Sequence, residues 1–93
     1  MRLKDYEIRA IKDAIHQYDE DARVYLFGSR ADDSKKGGDI DLLVISGKLT
    51  YNDKLRIRQA IEEKIGERKI DIVITGDMQL PFVRVSMSEG VLL

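Results

Sequence analysis

Residues 28–44 read GSRADDSKKGGDIDLLV, and they connect the end of one apolar segment to the start of another. The preceding segment, RVYLF at 23–27, is short and rich in β-forming residues, so it predicts a buried strand that stops at Gly28. The segment DIDLLVIS at 39–46 predicts a second strand. Between the strands, residues 30–36 predict a short helix, because acidic residues come first, lysines follow and glycines end it.

Outside this stretch, hydrophobic periodicity predicts three longer elements: a helix over 3–18, a helix over 50–66 and a strand over 69–75. Thr50 and Asp53 have the spacing of a capping box at the start of the second long helix, and Gly66 suits its end. In the tail, Pro81 is expected to open a short helix and Gly90 to precede a last edge strand.

This order of elements predicts the fold class. Strands alternate with helices, which is typical of a small α/β (α+β) domain with a mixed sheet and helices packed on one face. The 93 residues fit one domain over 1–93, without repeats or linkers.

Composition limits the classes of function. The chain is 43% hydrophobic and 35% charged, with a net charge of −1. Strong non-specific binding to nucleic acid is not expected at that charge. The chain has no cysteine, which excludes a disulfide scaffold, and its one histidine argues against a classical zinc site. No apolar segment approaches membrane-spanning length and no signal peptide opens the chain, so we expect a cytoplasmic protein without membrane association.

Three aspartates are the strongest candidates for chemistry. Side chains alternate along a strand, so Asp39 and Asp41 project from one face, and Asp71 occupies the corresponding phase of the third strand. If these strands are neighbours, the three carboxylates converge. Such clustering is unfavourable unless a divalent cation compensates it, and Mg²⁺ prefers carboxylate oxygen. Two ions about 3.5–4 Å apart would activate an attacking oxygen and stabilise a leaving one.

The Gly28-Ser29 pair predicts a place for phosphate. It lies where a strand ends and a helix is expected to begin, so backbone N–H groups there lack helical partners. Gly28 allows close approach to the backbone, and Ser29 adds a hydroxyl. Taken without the aspartates, this pair is better explained as an ordinary strand-to-helix turn with a serine cap.

Together, GSRADDSKKGGDIDLLV and KIDIVI resemble the nucleotidyltransferase domain of the DNA polymerase beta superfamily, and most of all the minimal nucleotidyltransferases of prokaryotes. The resemblance covers roughly residues 5–76. It assigns two groups of residues: nucleotide-binding Gly28, Ser29 and Gly38, and metal-binding, catalytic Asp39, Asp41 and Asp71. Gly38 stands where the family often has serine, which removes a hydroxyl and keeps the tight turn.

The resemblance implies transfer of a nucleoside monophosphate from ATP or another nucleoside triphosphate to a hydroxyl, with release of pyrophosphate. The same resemblance implies a HEPN-domain toxin as partner, because minimal members are usually the antitoxin of such a toxin and can transfer AMP to it. One alternative is a nucleotide-binding module that neutralises a HEPN partner by covering it. Another is nucleotidyl transfer to a small molecule. The expected lack of a second domain argues against this alternative.

Some assignments stay open at this point. The apolar residues of 51–65 and the GVLL sequence at 90–93 suit a core and a subunit interface equally well, so association with a like or unlike chain is left undecided. Arg30 is as compatible with a solvated helix start as with contact to phosphate or a partner, and His16 is expected on the surface.

Overall fold

The computed structural model describes residues 2–31 and 38–93. Its elements are listed here in chain order: α1 (Asp5–His16), β1 (Arg23–Phe27), a 3-10 turn (Gly28–Ala31), β2 (Ile40–Ile45), α2 (Tyr51–Ile65), β3 (Ile70–Thr75), α3 (Pro81–Glu89) and β4 (Val91–Leu92). The predicted long helices and strands are confirmed, with ends shifted by at most two residues. Of the short helix expected over 30–36, residues 30–31 belong to the 3-10 turn, and 32–37 lie outside the described residues.

The strands form one mixed sheet in the order β3-β2-β1-β4. β1 is antiparallel to β2 and to β4, whereas β2 is parallel to β3. A parallel pair needs a crossover connection, and α2 supplies it. The predicted mixed sheet is therefore confirmed. The parallel pair also brings the starts of β2 and β3 to the same end of the sheet.

The two long helices pack on one face of the sheet, as predicted. Ile57, Ile61 and Ile65 recur at helical spacing along α2, and all three are buried. On the same helix, Tyr51 and Leu55 are exposed. The apolar residues of 51–65 therefore divide between the core and the surface. The other large core side chains come from α1 and from one face of the strands: Ile11, Ile15, Leu26, Ile40, Leu42, Val44 and Ile70.

The third helix lies against the other face of the sheet, which carries the aspartates. Phe82 of α3 packs edge-on against Phe27 of β1, with ring centroids 5.7 Å apart and planes at 85°. Leu43 and Val83 are both buried, although neither belongs to the core under the long helices. The helix predicted from Pro81 is confirmed, and it shields part of the aspartate face from water.

Local signals explain where α2 begins and ends. The Thr50 backbone N–H donates to Asp53 Oδ2 at 2.9 Å, and the Asp53 N–H donates to Thr50 Oγ1 at 3.3 Å, which confirms the capping box. Gly66 ends the helix with φ at 89°. Among residues 2–31 and 38–93, no helix combines the length and apolar character needed to cross a bilayer.

Candidate active site

Asp41 and Asp71 lie side by side on one face of the sheet. In the parallel pairing of β2 with β3, Asp41 is the direct partner of Asp71. Both are the second residues of their strands, so both side chains lie at the same end of the sheet. The expectation that the second and third strands are neighbours is confirmed, and it follows from the α2 crossover rather than from any local signal.

The Gly28 turn lies against the same carboxylate. Phe27, the last residue of β1, is paired with Asp41, so the chain leaves the sheet next to Asp41. Gly28 has φ at 74°, and a β-carbon at this position would overlap Asp41 Oδ2. The backbone conformation therefore favours glycine, and any side chain here would have to displace the Asp41 carboxylate. Ser29 follows in the 3-10 turn, and the placement of its side chain lies outside what the structure describes.

Asp39 precedes β2 and pairs with a lysine. Its Oδ2 lies 3.4 Å from Lys69 Nζ. The Ile40 N–H donates to the Lys69 carbonyl at 3.1 Å, which extends the β2–β3 pairing back to this level. Asp39 and Lys69 are thus lateral neighbours, two residues before the Asp41–Asp71 pair. Sequence reasoning missed Lys69, although its position two residues before Asp71 puts both on one face of an extended chain.

The surroundings of Asp41 oppose its ionisation. Partial burial raises the pKa of the Asp41 carboxyl, and the negative charges of Asp71 and Asp39 raise it further. A hydrogen bond between the Asp41 and Asp71 carboxyls acts in the same direction, whereas Lys69 acts weakly against it. A carboxylate held under such repulsion gains from a nearby cation.

The donor set suits a hard divalent cation. Carboxylate oxygens are the ligands that Mg²⁺ prefers, and Asp41 and Asp71 present them from rigid neighbouring strands. Within the described ranges, however, no three His, Asp or Glu side chains are arranged closely enough to hold a metal ion. Because Asp39 is engaged with Lys69, its carboxylate would have to turn from the lysine to complete a three-aspartate site.

Arg30 connects the turn to its surroundings. Its Nε donates to the Gly38 carbonyl at 3.3 Å, and its Nη1 donates to the Arg2 carbonyl at 3.1 Å. The Arg2 N–H in turn donates to the Arg30 carbonyl at 2.8 Å. Gly38 itself has φ at 90° and lies one residue before Asp39. The Arg30 guanidinium therefore bridges two backbone carbonyls, one on each side of the 31–38 segment, and Arg30 lies in the 3-10 turn rather than at the start of a helix.

A protein-family model described as polymerase beta, nucleotidyltransferase matches residues 9–93. The match includes all the residues assigned above to nucleotide and metal binding. Among curated proteins, no significant match to this chain is found.

Proposed function

The chain belongs to the polymerase beta nucleotidyltransferase family, and from this premise we propose that it is a Mg²⁺-dependent enzyme that transfers AMP from ATP to a hydroxyl of a partner protein. The coarser activity, nucleotidyl transfer, follows from the family. The observation that supports the finer proposal best is the Asp41–Asp71 pair with the Gly28 turn packed directly on it. In the proposal, this arrangement would put a cation site next to a phosphate site.

All three aspartates are metal ligands in the proposal, and Asp71 has a second role. Asp41 and Asp71 would hold Mg²⁺ from adjacent strands, with Asp39 as the third ligand. Bound there, the metal would supply Lewis-acid stabilisation of the α-phosphate and would lower the pKa of the attacking hydroxyl. Asp71 is exposed, so its carboxylate can also accept the proton of that hydroxyl.

The nucleotide would lie between the aspartates and the turn. The first N–H groups of a 3-10 turn have no partners within the turn, so the Gly28–Ala31 backbone is suited to the β- and γ-phosphates. Gly28 permits close approach, and Gly38, on the other side of the 30–38 segment, allows the chain to turn back toward Asp39. Ser29 would add its hydroxyl to this phosphate site.

We further propose that the acceptor is a HEPN-domain toxin and that this chain is its antitoxin. The resemblance of the GSRADDSKKGGDIDLLV stretch to minimal nucleotidyltransferases supports this assignment. A protein acceptor also needs a docking surface beside the site. Four exposed apolar side chains around α3 would provide one, named here the α3 patch: Met78, Leu80, Phe82 and Val85. Phe82 connects the patch to the site through its contact with Phe27.

The proposal is tested by modification of the partner. The chain is incubated with Mg²⁺, one nucleoside triphosphate at a time and a purified HEPN protein, and the partner is weighed by intact-mass spectrometry. We expect an AMP-sized increment with ATP, and none when Asp41→Asn replaces the wild type or when EDTA is added. A small-molecule acceptor would instead give an adenylylated product without any change in protein mass.

A second candidate function is neutralisation by binding without transfer. The pairing of Asp39 with Lys69 favours it, because the three aspartates are not grouped as metal ligands in the described residues. In this case the HEPN protein would form a stable complex, keep its mass and lose its activity, and Asp41→Asn would neutralise it as well as the wild type does.

A further inference from the structure

We propose that Lys69 is an exchangeable counter-ion, which pairs with Asp39 in the metal-free protein and with a phosphate of the nucleotide once Asp39 binds the metal. This inference rests on the proposed function. It gives a role to the Asp39–Lys69 pair, which otherwise would only oppose metal binding.

The backbone explains why these two side chains meet. Ile40 is the partner of Ile70, and the Ile40 N–H donates to the Lys69 carbonyl, so Asp39 and Lys69 occupy equivalent positions before their strands. Because side chains alternate, Lys69 projects from the same face as Asp71, and Asp39 from the same face as Asp41. The ammonium is therefore held at the rim of the carboxylate cluster by the strand register.

The pair is weak enough to exchange. The Lys69 side chain is 70% exposed and the Asp39 side chain 41% exposed, and exposed ion pairs contribute little to stability. A divalent ion at Asp41 and Asp71 offers Asp39 a stronger partner than the ammonium does. The flexible lysine stem then leaves its charge beside the aspartates, where the α-phosphate of the nucleotide is proposed to lie and would replace the lost carboxylate.

This exchange predicts effects of opposite sign for removal of the lysine charge. Lys69→Gln removes the competitor for Asp39 and one positive charge from the cluster, so divalent metal alone should bind more tightly. The same substitution removes a phosphate partner, so MgATP should bind more weakly. A lysine that only stabilised the fold would shift both affinities in the same direction or neither.

The experiment measures two binding reactions on the full chain. Mn²⁺ binding without nucleotide is measured by electron paramagnetic resonance, and MgATP binding by calorimetry. For Lys69→Gln we expect the Mn²⁺ affinity to rise about two- to fivefold and the MgATP affinity to fall by a similar factor. Lys69→Arg should stay close to the wild type in both. The matched control is Lys54→Gln, which removes the same charge from the first turn of α2, at the other end of the sheet, and should change neither.

The outcomes separate this inference from the proposed function. The exchange is refuted if Lys69→Gln moves both affinities in the same direction. It is also refuted if Lys69→Gln and the wild type have equal Mn²⁺ affinity, or if neither binds Mn²⁺ detectably. The wild-type chain can still adenylylate its partner in that event, and the proposed function then stands. If the wild-type chain does not adenylylate its partner, but Lys69→Gln shifts the Mn²⁺ and MgATP affinities in opposite directions, the proposed function is refuted and the exchange stands. Circular dichroism of each variant verifies that it is folded.

Discussion

At Gly28, a left-handed backbone conformation disfavours a side chain, and a β-carbon would also meet the carboxylate of Asp41. Gly66 has a similar φ, 89°, but a β-carbon there would meet nothing within 4 Å. Alanine substitutions at these two glycines therefore distinguish the cost of backbone strain, which both would show, from displacement of Asp41, which only Gly28→Ala would cause.

Gly28→Ala and Gly66→Ala should each lower the free energy of unfolding by about 1–2 kcal/mol, because alanine is strained at these φ angles. Gly28→Ala should also displace Asp41 and reduce transfer and Mn²⁺ binding, whereas Gly66→Ala should leave both intact. Urea unfolding and the adenylylation assay measure the two effects. Full activity of Gly28→Ala would mean that the turn does not contact the reacting site.

The ionised Asp41 carboxylate should destabilise the folded protein at neutral pH, although it is a proposed metal ligand. Burial and the neighbouring carboxylates raise its pKa in the folded protein, so the folded state holds this proton more tightly than the unfolded state. Its contribution to stability is therefore complete below the unfolded pKa of about 4 and is lost as pH rises through the folded pKa.

Asp41→Asn should consequently raise the free energy of unfolding at pH 7 and should lower transfer about a hundredfold or more. The stability gain should shrink as the pH is lowered toward 4 in matched urea titrations. Asp13→Asn, on the exposed side of α1, is the control and should show neither effect. A destabilised Asp41→Asn chain at pH 7 would contradict the repulsion inferred here.

Among the elements, the loops at the end of the sheet opposite the site are connected by a buried polar pair. Ser46, just after β2, donates its hydroxyl to Asp19 Oδ2 at 2.5 Å, and Asp19 also accepts the Asp21 N–H at 3.1 Å. Both Ser46 and Asp19 are buried. The Ser46 hydrogen bond lowers the pKa of Asp19, against the opposing effect of burial. Nearby, the partly exposed His16 has its Nε2 3.0 Å from the Ala22 carbonyl.

Ser46→Ala should therefore lower the free energy of unfolding by about 1–2 kcal/mol at pH 7, because it leaves the Asp19 carboxylate short of a donor. A depressed pKa stabilises the fold above the unfolded value and loses that effect as pH falls through the folded one. The difference from the wild type should thus narrow below about pH 4. Ser88→Ala, on the exposed side of α3, should stay within about 0.5 kcal/mol of the wild type at both pH values. A Ser46→Ala deficit that did not depend on pH would exclude a role for Asp19 ionisation.

In the whole molecule, one face of the sheet forms the hydrophobic core and the other carries the candidate site. One face is filled by α1 and α2 and forms the core. The other carries the aspartates, the Gly28 turn and α3, and it leaves the α3 patch exposed. A partner that docks on this patch would bring its hydroxyl to the reacting face.

Val85→Ser should weaken the complex with the acceptor protein about tenfold and reduce its modification accordingly, without affecting MgATP binding. Leu55→Ser removes a comparably exposed apolar side chain from α2, on the core side of the sheet, and should change neither. Calorimetry and intact-mass spectrometry measure the two steps. Equal effects of the two substitutions would exclude the α3 patch as the docking surface.

Local sequence signals were sufficient for most of the secondary structure. The β1 bounds, the Thr50 capping box and the helix at Pro81 depend on neighbours within a few residues, and each was predicted. The phase of Asp39, Asp41 and Asp71 within their strands could also be read from alternation, because it is a property of extended chains.

Tertiary structure determined which of these residues meet. Only the parallel register puts Asp41 beside Asp71 and Lys69 beside Asp39, because strand pairing depends on contacts between residues far apart in the chain. Likewise, the position of α3 on the aspartate face and the contact of Gly28 with Asp41 depend on how the elements pack. The residue types at the site can therefore be read from the chain, whereas the partner of each charge is a consequence of the folded sheet.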